Sequence, residues 1–420
     1  MRHTYIHIPF CRRRCSYCDF SIAVRKHLQP ESFIGAIKNE YELLLERGEW
    51  DDEPLETLYL GGGTPSLLLA EHMANLVQYF LSRGQVGEER FRTVEDGRRR
   101  SRTGEDNSET SPLPEVTLEA NPDDVTQETV STWVGAGVSR VSLGVQSFDP
   151  KVLGWMHRTH NAEQSLAAHA NLHDSGVTSV SLDLIFALPS ELNHVFRDDL
   201  DRTLVLEPDH VSVYGLTIEP RTPLARWISR GAASPTPEGR YAEEFMAAHE
   251  TLTAAGYEHY EISNYAKPGH RAVHNSAYWT GRPYAGLGPS AHRFNGHTRS
   301  WNVSPWAEYQ RLVSTSKDPT AGRETLTEDQ RCLERIYLAL RTSDGLGEEE
   351  ELRHLNQDVV ETAIEHGWME KVNPFPLPPS PFPDGPLSHS ASSDRFRLTP
   401  EGWLRLDELT PGLTTSARGG

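Results

Sequence analysis

Cys11, Cys15 and Cys18 share one short loop, spaced C-x3-C-x2-C within the stretch YIHIPFCRRRCSYCDF, and Cys332 is the only other cysteine in the chain. Thiols gathered this closely point to metal or redox chemistry. A structural zinc takes four protein ligands, and no second Cys or His pair follows at finger or ribbon spacing. An iron-sulfur cubane suits three cysteines better, because it leaves one iron free to coordinate a small molecule. Tyr17, just before the third cysteine, can wall off a planar ligand. Arg12, Arg13 and Arg14 can lower thiolate pKa values and offset cluster charge. Cys332 sits inside an amphipathic pattern with no ligand-type neighbour, which reads as a buried neutral thiol.

The elements around this loop follow from periodicity. Up to about residue 220, short β-rich runs alternate with longer amphipathic ones. TYIHI, TLYL, VTLE, RVSLGV, SVSLDLI and HVSVYGL read as strands. Helices are predicted over 31–47, 67–83, 125–136, 161–174 and 194–206. Six such units suit an α/β partial barrel with its chemistry at the carboxyl ends of the strands, and a doubly wound open sheet is the alternative that spacing leaves open. LYLGGGTPS puts Gly61, Gly62 and Gly63 straight after a strand, where missing side chains let backbone approach a ligand.

The remaining chain divides by composition. Residues 84–114 are rich in Arg, Glu, Ser and Gly and read as a disordered insertion, and 373–393 as a Pro/Ser-rich linker. The expected organisation is a barrel over 1–230, an aromatic- and His-rich extension over 231–320, and a small α+β domain over 321–420. Helices followed by a hairpin-like tail, RFRLTPEGWLRLDEL, give that last domain a winged-helix-like character.

With 41 Lys+Arg against 60 Asp+Glu, the net charge of −19 opposes attraction to nucleic acid or anionic membranes. The amino-terminal residues lack a signal-peptide core and no apolar run is long enough to span a bilayer, so a cytoplasmic location is expected.

C-x3-C-x2-C with an aromatic before its third cysteine resembles the radical S-adenosylmethionine (SAM) superfamily. The motifs YIHIPFC, GGGTPS, EANP, SLGVQSF, LDLIFALP and LRTSDGL resemble the branch of it that holds oxygen-independent coproporphyrinogen III dehydrogenases and HemW-type haem chaperones. The resemblance implies a [4Fe-4S] cluster on the three cysteines, with SAM chelated by the open iron. It carries over Tyr5, Gly63, Thr64, Glu119, Gln146, Arg158 and Asp183 as SAM contacts, with Tyr17 beside the ligand. The chemistry fits: Glu119, Gln146 and Asp183 sit on successive predicted strands as acceptors for ammonium and hydroxyl donors, and Arg158 can pair with a carboxylate.

Two features lean toward the chaperones. The dehydrogenases carry a further cysteine two positions on, where this chain has Phe20, and they begin with a long extension, whereas Tyr5 opens the first strand almost at once. HNSAYW, His274–Trp279, resembles the haem-binding motif of the chaperones; a neutral imidazole can ligate haem iron while Tyr278 and Trp279 pack on the porphyrin. On physics alone, such a histidine is more often a hydrogen-bonded core or surface residue than a ligand. His292 is a second candidate, and Gly286 and Gly288 read as close-packing positions. The implied partners are haem and acceptor haemoproteins, with a homodimer compatible.

Overall fold

The computed structural model describes residues 1–25, 29–83, 113–347, 352–372 and 395–414. The expected insertion, apart from Leu113 and Pro114, and the expected Pro/Ser linker lie outside the described residues.

Six parallel strands follow one another in both sequence and space: β1 (His3–Ile8), β2 (Thr57–Gly62), β3 (Glu115–Ala120), β4 (Arg140–Gln146), β5 (Ser179–Phe186) and β6 (His210–Gly215). A doubly wound sheet reverses its strand order at a switch point. Here the order from β1 to β6 never reverses, which is the winding of a partial barrel. Between the strands run α1 (Pro30–Glu46), α2 (Ala70–Leu81), α3 (Gln127–Ala136), α4 (Ala162–His173) and α5 (Phe196–Leu206). The sheet is completed by β7 (Glu258–Glu261), β8 (Asn264–Ala266) and β9 (Ala285–Leu287): β8 runs antiparallel to β6 and β7, while β9 lies parallel to β1 on the other edge.

Along the central strands apolar residues take alternate positions on one face, where Leu58, Leu60, Val116, Leu118, Val141, Leu143, Leu182 and Leu184 are fully buried. Each such side chain contributes roughly 1.5–3 kcal/mol of transfer free energy. The opposite face carries Tyr59, Glu119, Ser142 and Asp183 toward the cavity at the strand ends. The helices start where polar side chains can satisfy free amides. Thr126 with Thr129 forms a capping box at α3 and Asn161 with Gln164 another at α4.

The extension is bolted to the barrel by one buried carboxylate. Glu40 of α1 accepts from the Gly288 amide at 2.8 Å, Asn302 Nδ2 at 2.6 Å and Tyr309 Oη at 2.6 Å, and pairs with Arg293 at 3.2 Å. Burial pushes the Glu40 pKa up, and Arg293 pulls it back. Gly286 and Gly288 do pack closely, since an added Cβ would strike the His292 and His7 carbonyl oxygens respectively. Beyond them β10 (His292–Phe294), β11 (Thr298–Asn302) and β12 (Thr320–Thr325) form an antiparallel sheet, so a single sheet continues across residue 320.

The last region contains α6 (Glu328–Leu340), capped by Thr327 and Gln330, and a distinct small α+β part. Its two strands, β13 (Met369–Val372) and β14 (Arg395–Leu398), pair antiparallel across the Pro/Ser-rich stretch. The hairpin-like tail therefore corrects to one strand followed by helix, Leu406–Leu413, because the strand's partner lies before the linker. Cys332 is buried in the core on α6, as its pattern implied.

Candidate functional site

The cysteine loop leaves the carboxyl end of β1, its root held by Phe10, which packs edge-on against Phe33 and Trp306 at centroid distances of 5.4 and 5.6 Å. The β2 turn crosses this root: Gly63 N donates to Ile8 O and Thr64 N to Phe10 O, both at 2.8 Å. A Cβ on Gly63 would lie 2.7 Å from Phe10 O and 3.0 Å from Cys11 Sγ, so glycine is the residue that lets the two loops touch. On the far side Ser16 N donates to Met156 O at 3.1 Å, tying the loop to the segment after β4.

Cys11, Cys15 and Cys18 line one cavity of about 450 Å³ at the strand ends, together with Tyr17, Gly62, Gly63, Thr64, Glu119, Gln146, Arg158 and Asp183. Among the described residues no three His, Cys, Asp or Glu side chains converge on a point that a single ion could occupy. A polynuclear cluster needs no such convergence, because each iron takes its own thiolate. The Cys11 sulfur accepts from Thr64 Oγ1 at 3.4 Å and the Cys15 sulfur from Arg158 Nη1 at 3.6 Å. Burial pushes the Cys11 thiol up and the Cys18 thiol to about 11, while Arg14 pulls both down. Arg12 and Arg13 take other partners, Asp123 and Asp124 for the first and the His157 carbonyl for the second. Of the loop arginines, Arg14 alone acts on the thiols in the expected sense, and Arg158 joins it at Cys11.

The carboxylates face this cavity under strain. Glu119 accepts from Tyr59 Oη at 2.8 Å and the Gly62 amide at 2.9 Å, yet burial and the nearby Asp183 push its pKa up to about 7. Asp183 is held by Ser142 Oγ at 2.8 and 2.9 Å, and burial raises it to about 6. Two half-buried acids this close to neutrality are what a cationic ligand would relieve. Arg158 also donates to Gly144 O at 2.8 Å and bonds Asn121, while its buried Nε has no partner among the described residues. Gln146 lies at φ 67° in the left-handed region, which costs ~1–3 kcal/mol and suits a side chain aimed by function. Donors, acceptors and thiols thus fit a cluster with a zwitterionic, cationic cofactor beside it.

Three expected residues sit elsewhere. Gly61 lies inside β2, where a Cβ would meet Tyr59 and Glu119, so it makes room for Glu119 rather than lining the cavity. Tyr5, whose Oη is 3.0 Å from His7 Nδ1, lines a second, larger cavity of about 940 Å³. His274 lines neither: it is 1% exposed, with Nδ1 2.7 Å from Thr57 Oγ1 and Nε2 2.8 Å from Tyr278 Oη. Burial holds its pKa down to about 3. The structure thus matches the core alternative for this histidine, while Tyr278 and Trp279 of the same motif do face the larger cavity.

The two cavities share Asp19, Phe20, Gly62 and Glu119 as lining. The larger adds Tyr284, Phe294 and five arginines, Arg221, Arg282, Arg299, Arg331 and Arg335. Asn121, Ser142, Tyr59 and these arginines are site residues that sequence reasoning missed. Asn121 had a signal, one position beyond the third strand, whereas the arginines come from separate segments with none.

The model of the radical SAM superfamily matches residues 5–203. Over 345 residues, 81% of this chain and 82% of the relative, the chain is 35% identical to the haem chaperone HemW of Mycobacterium tuberculosis. It is 30% identical to that of Bacillus subtilis over 82% and 85% of the two chains. The structure superposes on the radical SAM coproporphyrinogen III oxidase HemN of Escherichia coli with a TM-score of 0.73, covering 99% of this chain and 90% of that one at 19% identity, a likeness of fold. A partial barrel with thiols at its strand ends therefore defines a radical SAM protein. Within that superfamily, the chain belongs to the HemW family.

Proposed function

We propose that this protein is a haem chaperone: it holds a [4Fe-4S] cluster on Cys11, Cys15 and Cys18, SAM against the strand ends, and haem in the adjoining cavity, for transfer to acceptor haemoproteins. The observation that carries this reading is the pair of abutting cavities. One is built for a cluster and a cation; the other, at about 940 Å³, suits a large planar ligand with anionic side chains. Tyr278, Trp279, Tyr284 and Phe294 give it apolar faces, and five arginines line it, of which Arg282, Arg299 and Arg331 pair with Glu56, Glu334 and Glu328. Propionate carboxylates are the natural partners of such guanidinium groups.

A cluster held there would supply one-electron chemistry to the sulfonium of SAM. The chain's own residues would do the binding. Glu119 and Asp183 would receive the ammonium and ribose hydroxyls, Arg158 the carboxylate, Gln146 and the Gly63–Thr64 turn would complete the contacts, and Tyr17 would wall the ligand. Tyr5 would reach it only from the haem side. The division into a barrel (1–230), an extension (231–320) and a winged-helix-like part (321–420) belongs to the same reading, as do a cytoplasmic location and a homodimer. Among the described residues no helix is long and apolar enough to cross a membrane.

Anaerobic reconstitution tests the reading. The protein should take up iron and sulfide, give a Soret band on haem titration and leave coproporphyrinogen unconverted. Conversion to protoporphyrinogen would assign it to the dehydrogenases instead.

A further inference from the structure

A protein that carries haem commonly ligates its iron axially, and imidazole is the usual neutral donor. His274 is spent in this respect. Both its ring nitrogens are engaged, and withdrawing it would cost the Tyr278 hydroxyl its bond and leave Thr57 with His3 alone, at 3.0 Å.

Two histidines line the large cavity, His7 and His292. His7 is also spent, with Nδ1 3.0 Å from Tyr5 Oη and Nε2 3.0 Å from Ser21 O. His292, at the start of β10, is exposed, and neither ring nitrogen bonds any described residue. Its ring is nevertheless held. It stacks on Trp301 at a centroid distance of 5.9 Å and an interplanar angle of 24°, a pair fixed by the β10–β11 register that places the two residues opposite each other. Trp301 in turn lies flat over Gly322 of β12, where a Cβ would collide with the indole. Desolvation and the neighbouring Arg299 keep the His292 imidazole below its ordinary pKa, hence neutral with a free lone pair at pH 7.

We propose that His292, aligned by Trp301 over Gly322, is the axial ligand of haem iron in this protein. The inference rests on the large cavity being the haem site. It moves the ligand from the helix carrying the HNSAYW motif to the three-stranded sheet.

The test is haem titration of the cluster-loaded full chain, followed by absorbance and resonance Raman spectroscopy. Wild type should show an iron–imidazole band. His292→Ala should lose that band, recover it on adding free imidazole, and bind haem about tenfold more weakly, ~1.4 kcal/mol. Gly322→Val should broaden or shift the band by displacing Trp301. His274→Gln should keep it. If the imidazole band survives in His292→Ala at wild-type affinity, or if wild type binds haem with no imidazole band, the ligand assignment is overturned while the chaperone reading stands. If wild type binds no haem at all, the chaperone reading falls with it.

Discussion

Tyr59 Oη and the Glu119 carboxylate meet at 2.8 Å across neighbouring strands, and the Gly62 amide reaches the other carboxylate oxygen at 2.9 Å. Both donors favour the ionised acid, yet burial outweighs them and leaves Glu119 titrating at about 7. The carboxylate is thus aimed and hydrogen-bonded, yet burial holds it close to neutrality.

That imbalance predicts a pH dependence. The folded pKa of Glu119 is raised from 4.5 to about 7 and that of Asp183 from 3.8 to about 6. Stability from these groups is present in full below their unfolded values and is lost as pH rises through about 6 to 7. Glu119→Gln should therefore stabilise the empty protein at pH 8 by something on the order of 1–3 kcal/mol, with the gain vanishing toward pH 4.5. Urea denaturation at the two pH values measures it. The same substitution should weaken SAM binding about tenfold or more, and wild-type affinity should rise with pH through neutrality, as seen by calorimetry.

Gly63 offers a purely steric test. Gly63→Ala would push a methyl against Phe10 O and Cys11 Sγ, and the backbone of the cysteine loop would have to move. Iron and sulfide content after reconstitution should fall well below that of wild type, while far-ultraviolet circular dichroism stays unchanged.

The bolt between barrel and extension should be costly to remove. Glu40→Ala takes the counter-charge from Arg293 and the acceptor from Tyr309 in a buried site, while Asn302 keeps Gly288 O. Breaking a buried pair in this way typically costs about 3–5 kcal/mol. A fall in Tm is expected, and Glu40→Gln should recover part of it by keeping the neutral hydrogen bonds.

If arginines hold the propionates, esterification should matter. Wild type should prefer haem to its dimethyl ester about tenfold or more, and Arg299→Ala or Arg331→Ala should narrow that preference while leaving ester affinity unchanged. Equal affinities in wild type would sink the clamp.

The barrel was legible because its signals are local. Runs such as RVSLGV and SVSLDLI need only alternate apolar with polar or small residues, and Thr126, Asn161 and Thr327 each mark a helix start within a residue or two. The cysteine loop was legible for the same reason. What the chain concealed depends on register and distance. Ser142 holds Asp183 because neighbouring strands align Ser142 with Ser181, two places before Asp183. The burial of His274 depends on Thr57, more than 200 positions away. Nor could composition reveal that Arg221, Arg282 and Arg331 would meet around one space.

Asp19, Phe20, Gly62 and Glu119 face both cavities, so on the proposed reading the two guests would share a wall. A cation that draws the proton off Glu119 alters the field felt by whatever rests against its other side. By linkage, each guest must then tune the other's grip by the same factor. On the same reading, cargo release would be governed from the cofactor's side of that single carboxylate.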